Sequence, residues 1–187
     1  MRLAVLSLLA ACVAMAQVAT KPAAAAAAPT SPTLNGQPVR LSLATFYQIE
    51  RDFDNRLDKL GDANTPIDLL GATRGVYLDG YGAVFTSEIS LVRAPSVTPF
   101  HQAITKQEMD QVHQKKLDRL PVLRNALKEM VKAAARSLFL VPENQQIVVA
   151  VRLDYLQWEN VSGLPGLILM RADRKSALAG DIHHEEQ

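Results

Sequence analysis

Glu88, Asp154 and Glu159 are the residues of this chain whose type and setting come nearest to catalytic chemistry. Two carboxylates held within reach of one another can divide proton donation and acceptance between them. His101, in a loop after Pro99-Phe100, is the titratable group that could join them, and the reaction class implied is a hydrolase-like one. Nothing in the spacing draws the four together. Glu88 alternates with Phe85 and Ile89, so it belongs to the opposite side of a strand, where a cross-strand cation such as Arg152 is a sufficient partner. Ser87 has no Gly-x-Ser-x-Gly elbow around it. The four are weak catalytic candidates.

Metal and cofactor chemistry have less to stand on. His113 and His101 fit no His-Glu-x-x-His or comparable spacing, and His183-His184-Glu185-Glu186 lie in a polar terminus that offers no preorganised geometry. No cofactor and no metal is expected. The glycines of Asp79-Gly80-Tyr81-Gly82 could let backbone amides approach an anion, but phosphate loops lead from a strand into a helix, and this stretch joins two strands. Asp79-Gly80 reads instead as a tight hairpin turn, with a bulge or close packing at Gly82. Asn160-Val161-Ser162 fits a glycosylation sequon, a short pattern that chance often produces.

Arg124, Lys128, Lys132 and Arg136 recur every four residues and form a basic stripe beside an apolar one. Such a stripe could meet anionic headgroups or an acidic partner; it is also what the solvated face of an ordinary core helix looks like.

The N-terminus speaks to destination. Arg2 precedes an apolar run, and Ala14-Met15-Ala16 is a small-x-small cleavage site, the layout of an export signal spanning 1–16. Leu9-Ala10-Ala11-Cys12 offers a competing lipobox with lipidation at Cys12, although that cysteine comes early and apolar residues continue beyond it. Cys12 is the only cysteine, so cleavage after Ala16 leaves no thiol for disulfides, zinc sites or nucleophilic attack. Loss of Arg2 also leaves 19 basic residues against 19 acidic ones, which argues against a nucleic-acid binder. The location expected is periplasmic or secreted, with lipid anchoring at Cys12 the alternative.

Residues 17–38 are rich in Ala, Pro and Thr and cannot bury enough surface to offset their ordering entropy, so they read as a flexible linker. A single domain is expected over 39–180. Phe46, Ile49, Phe53, Leu57 and Leu60 mark one face of a helix. Tyr81, Ala83, Phe85, Ile89 and Leu91 alternate as a strand, and residues 74–78 supply the other arm of its hairpin. Thr105 and Glu108 have capping-box spacing, which starts a long helix with a kink or restart expected at Pro121. Ile147 to Tyr155 and Leu167 to Ala172 are two further strands, and 181–187 reads as a disordered polar tail. Strands in pairs predict an α+β fold: an antiparallel sheet of about four strands, made of two hairpins, with two or three helices packed on one face.

This pattern carries no catalytic motif, and the function it suggests is an exported, non-enzymatic binding or interaction domain in a cell envelope. The partner would be a protein or other envelope component. Nucleic acid is excluded, and membrane contact would come only through lipidation or the basic helix face.

Overall fold

A computed structural model describes residues 33–34, 37–38, 41–61, 66–93, 95 and 103–187. The expected export signal, Cys12, most of the linker and His101 lie outside these residues. At the end of the expected linker, β1 (Thr33–Leu34) and β2 (Gln37–Pro38) pair as a minimal antiparallel ladder.

Helix α1 (Leu43–Asp58) starts where the Ser42 side chain accepts a hydrogen bond from the Ala44 amide at 3.2 Å. It buries the expected Phe46, Ile49, Phe53 and Leu57, together with Glu50. Two short strands follow, β3 (Asp68–Leu69) and β4 (Arg74–Leu78), and both pair antiparallel with the long strand β5 (Gly82–Ser90). Thr105 and Glu108 form the expected reciprocal cap at the start of α2 (Lys106–Ser137). The second hairpin is β6 (Gln146–Leu153) and β7 (Leu167–Asp173). Helix α3 (Arg174–Ala179) and strand β8 (His183–Glu186) complete the chain.

Among the described residues the fold is α+β, with a mixed six-stranded sheet and three helices. Both expected hairpins are present, and β3 and β8 extend them. The expected purely antiparallel sheet needs correction at its centre. There β5 and β6 run parallel, Phe85 beside Val149, so the hairpins are joined edge to edge through the α2 crossover. Hydrophobic alternation looks the same in either direction, so the pattern of neither strand carried this information.

Gly82 is where the parallel pairing begins. Its φ is 137°, and a Cβ there would stand 1.9 Å from the Gln146 carbonyl oxygen. Only glycine fits at that spot, because Gln146 comes close enough to donate its amide to the Tyr81 carbonyl at 2.8 Å. Gly80 (φ 77°) serves the turn itself, which closes from the Tyr81 amide to the Leu78 carbonyl at 3.0 Å.

Two more expectations change. α2 does not restart at Pro121, its helical run being continuous from Lys106 to Ser137. Pro121 is exposed, so water can satisfy the carbonyl that proline leaves unbonded while the buried stripe (Leu120, Leu123, Leu127, Met130, Val131) holds both halves to the sheet. The expected disordered tail 181–187 is the edge strand β8, paired with β7 from Arg171↔His183 to Ile168↔Glu186 and closed by mutual bonds between Gln187 and Leu167. An edge strand needs few apolar side chains, and charges on it discourage further pairing.

α1 and α2 cover the same face of the sheet, and the core lies between. Phe85 stands at its centre, with Phe46 stacked at 5.6 Å and Phe53 edge-on at 5.1 Å between ring centroids. No helix among the described residues is long and apolar enough to cross a membrane.

Candidate functional site

The structure scatters the sequence candidates. Glu88 lies on the sheet face away from the helices, half exposed, 3.6 Å from the Arg152 Nε on the neighbouring strand, the partner its alternation implied. Asp154 follows β6, its amide bonded to the Ile89 carbonyl at 2.9 Å and its side chain half-buried. Glu159 is in the loop between β6 and β7 and turns inward, where it pairs with Lys116 of α2. Glu88 and Glu159 thus serve separate cations on separate elements, and no convergent acid-base pair forms among the described residues.

The basic stripe is also partly consumed. Arg124 makes a two-pronged bond to Glu186 of β8, at 2.6 and 2.9 Å, and this holds the Glu186 carboxyl below the usual carboxylate range. Lys132 pairs with Glu129 at 2.7 Å, while Lys128 and Arg136 remain exposed. His184 bonds Glu186 at 2.8 Å, and no cluster of three metal-ligating side chains occurs among the described residues.

Two buried polar clusters escaped sequence reading. In the first, α1 faces the outer edge of the sheet. Asp54 accepts from the Thr73 amide (2.8 Å) and hydroxyl (2.5 Å), the Thr73 hydroxyl lies 2.7 Å from that of Ser87, and Glu50 accepts from the Gly75 amide at 2.7 Å. These carboxylates satisfy amides that β4 turns away from β5, so α1 seals that edge. Thr73 cannot serve Ser87 as a base, so the chain Ser87–Thr73–Asp54 holds structure and does not activate a nucleophile.

In the second cluster, Lys116 and Glu159 pair with side chains only 1% and 3% exposed, and the Lys116 ammonium lies 4.8 Å from the centre of the Tyr155 ring. The Tyr155 hydroxyl donates to the Pro165 carbonyl at 2.6 Å, and burial, with Glu159 adding to it, raises its pKa well above the ordinary value. Glu159 Oε1 is buried with no partner. His113 Nδ1 meets the Asn160 carbonyl at 2.8 Å, a second tie between α2 and this loop. A signal for Lys116 was available: it interrupts the apolar series Val112, Leu120, Leu123 at a helical interval of four.

A further feature is the sheet face opposite the helices. The register sets its side chains in cross-strand rows. One row reads Val76, Val84, Val148, Arg171, His183, and the next reads Arg74, Thr86, Ala150, Leu169, Glu185. Leu78 stands below the first row, and Glu88, Arg152 and Leu167 above the second. The apolar members form a diagonal band from Leu78 and Val76 on β4, through Val84, Val148 and Ala150, to Leu169 and Leu167 on β7. Arg74, Arg152 and Glu88 flank it on one side, and Arg171, His183 and Glu185 on the other. Val76 is 50% exposed and Leu78 46%, Val84, Ala150, Leu169 and Leu167 are half-buried, and Val148 is buried at 4%. A cavity of about 310 Å³ opens beside Arg74, Arg152 and Glu88, and one of about 520 Å³ beside Arg171, His183, Asp173 and Asp181. Among the described residues no carboxylate pairs with Arg74 or Arg171.

No protein-family model, no curated protein and no solved structure matches this chain.

Proposed function

We propose that this is an exported, non-enzymatic binding domain that works through the uncovered face of its sheet. One observation carries the reading: the apolar diagonal from Leu78 to Leu167 lies on a face that no helix of the described chain covers, with Val76 and Leu78 about half exposed at one end, although Val148 at its middle is only 4% exposed. Central parallel strands are ordinarily covered on both faces. Contiguous apolar surface rimmed by polar groups marks interaction sites. Export through the 1–16 signal, with cleavage after Ala16 or lipidation at Cys12, belongs to the same proposal.

The competing readings have less support. An acid-base site would need two of Glu88, Asp154 and Glu159 in one cleft, and Glu88 and Glu159 are engaged by Arg152 and Lys116 instead. Anionic-membrane contact through 122–138 would need a free basic stripe, and Arg124 and Lys132 are already paired.

The test is capture from the native envelope with the exported protein as bait, beside Ala150→Trp, which fills the middle of the diagonal from the solvent side. The wild type should retain a specific partner that the variant loses, with unchanged circular dichroism. Identical capture by both would overturn the reading. The intact mass of the exported protein distinguishes a lipidated Cys12 from cleavage after Ala16.

A further inference from the structure

We infer that the loop of residues 154–166 is a latch, which lifts from α2 as a unit while the sheet stays folded. It is held down by the Lys116–Glu159 pair and by His113. The inference concerns the helix side of the molecule and does not rest on the open sheet face.

The loop is anchored at its two ends and lightly tied between them. The Asp154 amide bonds the Ile89 carbonyl at 2.9 Å, and the Gly166 amide bonds the Gln187 carbonyl at 2.7 Å. Between these anchors the bonded amides serve the loop itself. Glu159 donates to the Leu156 carbonyl, Ser162 to the Asn160 side chain and Leu164 to the Val161 carbonyl, each at 3.0 Å. No apolar side chain from 154 to 166 belongs to the buried core, and Tyr155 and Leu164 pack against it only half-buried. A segment with few buried apolar contacts lies at the low end of local stability. The strands that carry it differ: β6 and β7 share a full ladder and bury Val149, Val151, Ile168 and Met170.

The ties to α2 are polar. Glu159 pairs with Lys116, and the Asn160 carbonyl meets His113 Nδ1 at 2.8 Å. Lys116 belongs to the buried stripe of α2, one turn from both Val112 and Leu120, so the cation stays in place when the loop lifts. The carboxylate is the member that moves. The closed arrangement carries its own cost, since both side chains are buried and Glu159 Oε1 has no partner. On opening, both charges regain hydration, which offsets much of the attraction lost. The orphan oxygen regains a bond that the closed loop denies it. Water can therefore replace this tie, as it cannot replace the packing under β6 and β7.

Opening would uncover the face of α2 from Val112 to Leu117, with Lys116 at its middle. The far limb of the loop covers the same face: a Cβ on Gly163 would stand 3.7 Å from Leu117 Cδ2.

The experiment treats the exported chain with an amine-acetylating reagent in urea below the unfolding transition and locates the modified lysines by peptide mass. Exposed Lys115, next along α2, is the internal reference for the reagent. Lys116 should react more slowly than Lys115, at a rate that barely rises with urea, while the amides of β5 and β6 stay protected from hydrogen exchange. His113→Ala removes a tie without touching the pair and should speed Lys116 acetylation about fivefold. Trp158, the only tryptophan and half-buried, reports the loop independently. Its quenching by acrylamide should rise in His113→Ala and further in Glu159→Gln, with circular dichroism unchanged. A Lys116 rate in the wild type that climbs with urea as steeply as global unfolding would overturn the inference, and this arm needs no variant to fold. Acetylation and quenching that ignore both substitutions would overturn it as well.

Discussion

Two polar clusters lie beneath the helices of this protein, and they solve the same problem differently. Around α1, Glu50 and Asp54 accept from backbone amides of the sheet edge, and the described partners are accounted for. Under the loop between β6 and β7, Lys116 and Glu159 are more deeply buried, yet Glu159 Oε1 has no partner. The first cluster satisfies donors that the backbone cannot lose. The second is a side-chain device, and its charges cost desolvation that their attraction only partly offsets. A polar group required by the backbone must be answered; one supplied by side chains can be replaced.

The largest test of that contrast breaks the deeper pair. Lys116→Met leaves Glu159 buried without its cation and should cost about 3–5 kcal/mol in urea unfolding. Lys116→Met with Glu159→Leu removes both charges and should return to within about 1 kcal/mol of the wild type. A double variant as unstable as the single one would break the comparison. Next comes Asp54→Ala, which should cost about 2 kcal/mol by stranding the Thr73 amide and hydroxyl. Adding Thr73→Val should fail to rescue it, since the amide remains.

Titration sharpens the contrast further. The Tyr155 pKa is raised in the folded state, chiefly by burial, so its contribution to stability is complete below the ordinary value near 10 and is lost as pH rises beyond it. Tyr155→Phe should flatten that alkaline decline, measured as urea midpoint against pH. The smallest effect belongs to Glu186, whose pKa is lowered chiefly by Arg124. Its contribution is present above the ordinary carboxylate value and is lost as pH falls through the lowered one. The pair is partly exposed, so Arg124→Gln should weaken the acid limb by less than about 1 kcal/mol.

Much of the fold was legible because local periodicity reports which side of an element is buried. The α1 stripe, the Thr105–Glu108 cap, both hairpins and the loop 158–166 follow from residues close in sequence. α3 was legible too and went unread: Asp173 caps its start through the Ser176 amide, and Gly180, at φ 87°, ends it. β8 was hidden because four polar residues in a row carry no alternation, and only pairing with β7 orders them. The candidate site was harder to read. Glu88 with Arg152 followed from alternation, but Glu159 with Lys116 joins a loop to a helix 43 residues away, and Glu159 gave no sign of facing inward.

By itself, the sequence determined which side of each long element is apolar, where the capping box starts α2, and that Gly80 would be needed in a turn. These depend on neighbours within a few positions. Tertiary structure alone decided that β5 and β6 run parallel, that Gly82 exists for the approach of Gln146, and that seven apolar side chains from four strands line up as one diagonal between arginines. The physical reason is register. Alternation assigns a residue to a face, but only the hydrogen-bonded offset between strands decides which residues on that face become neighbours.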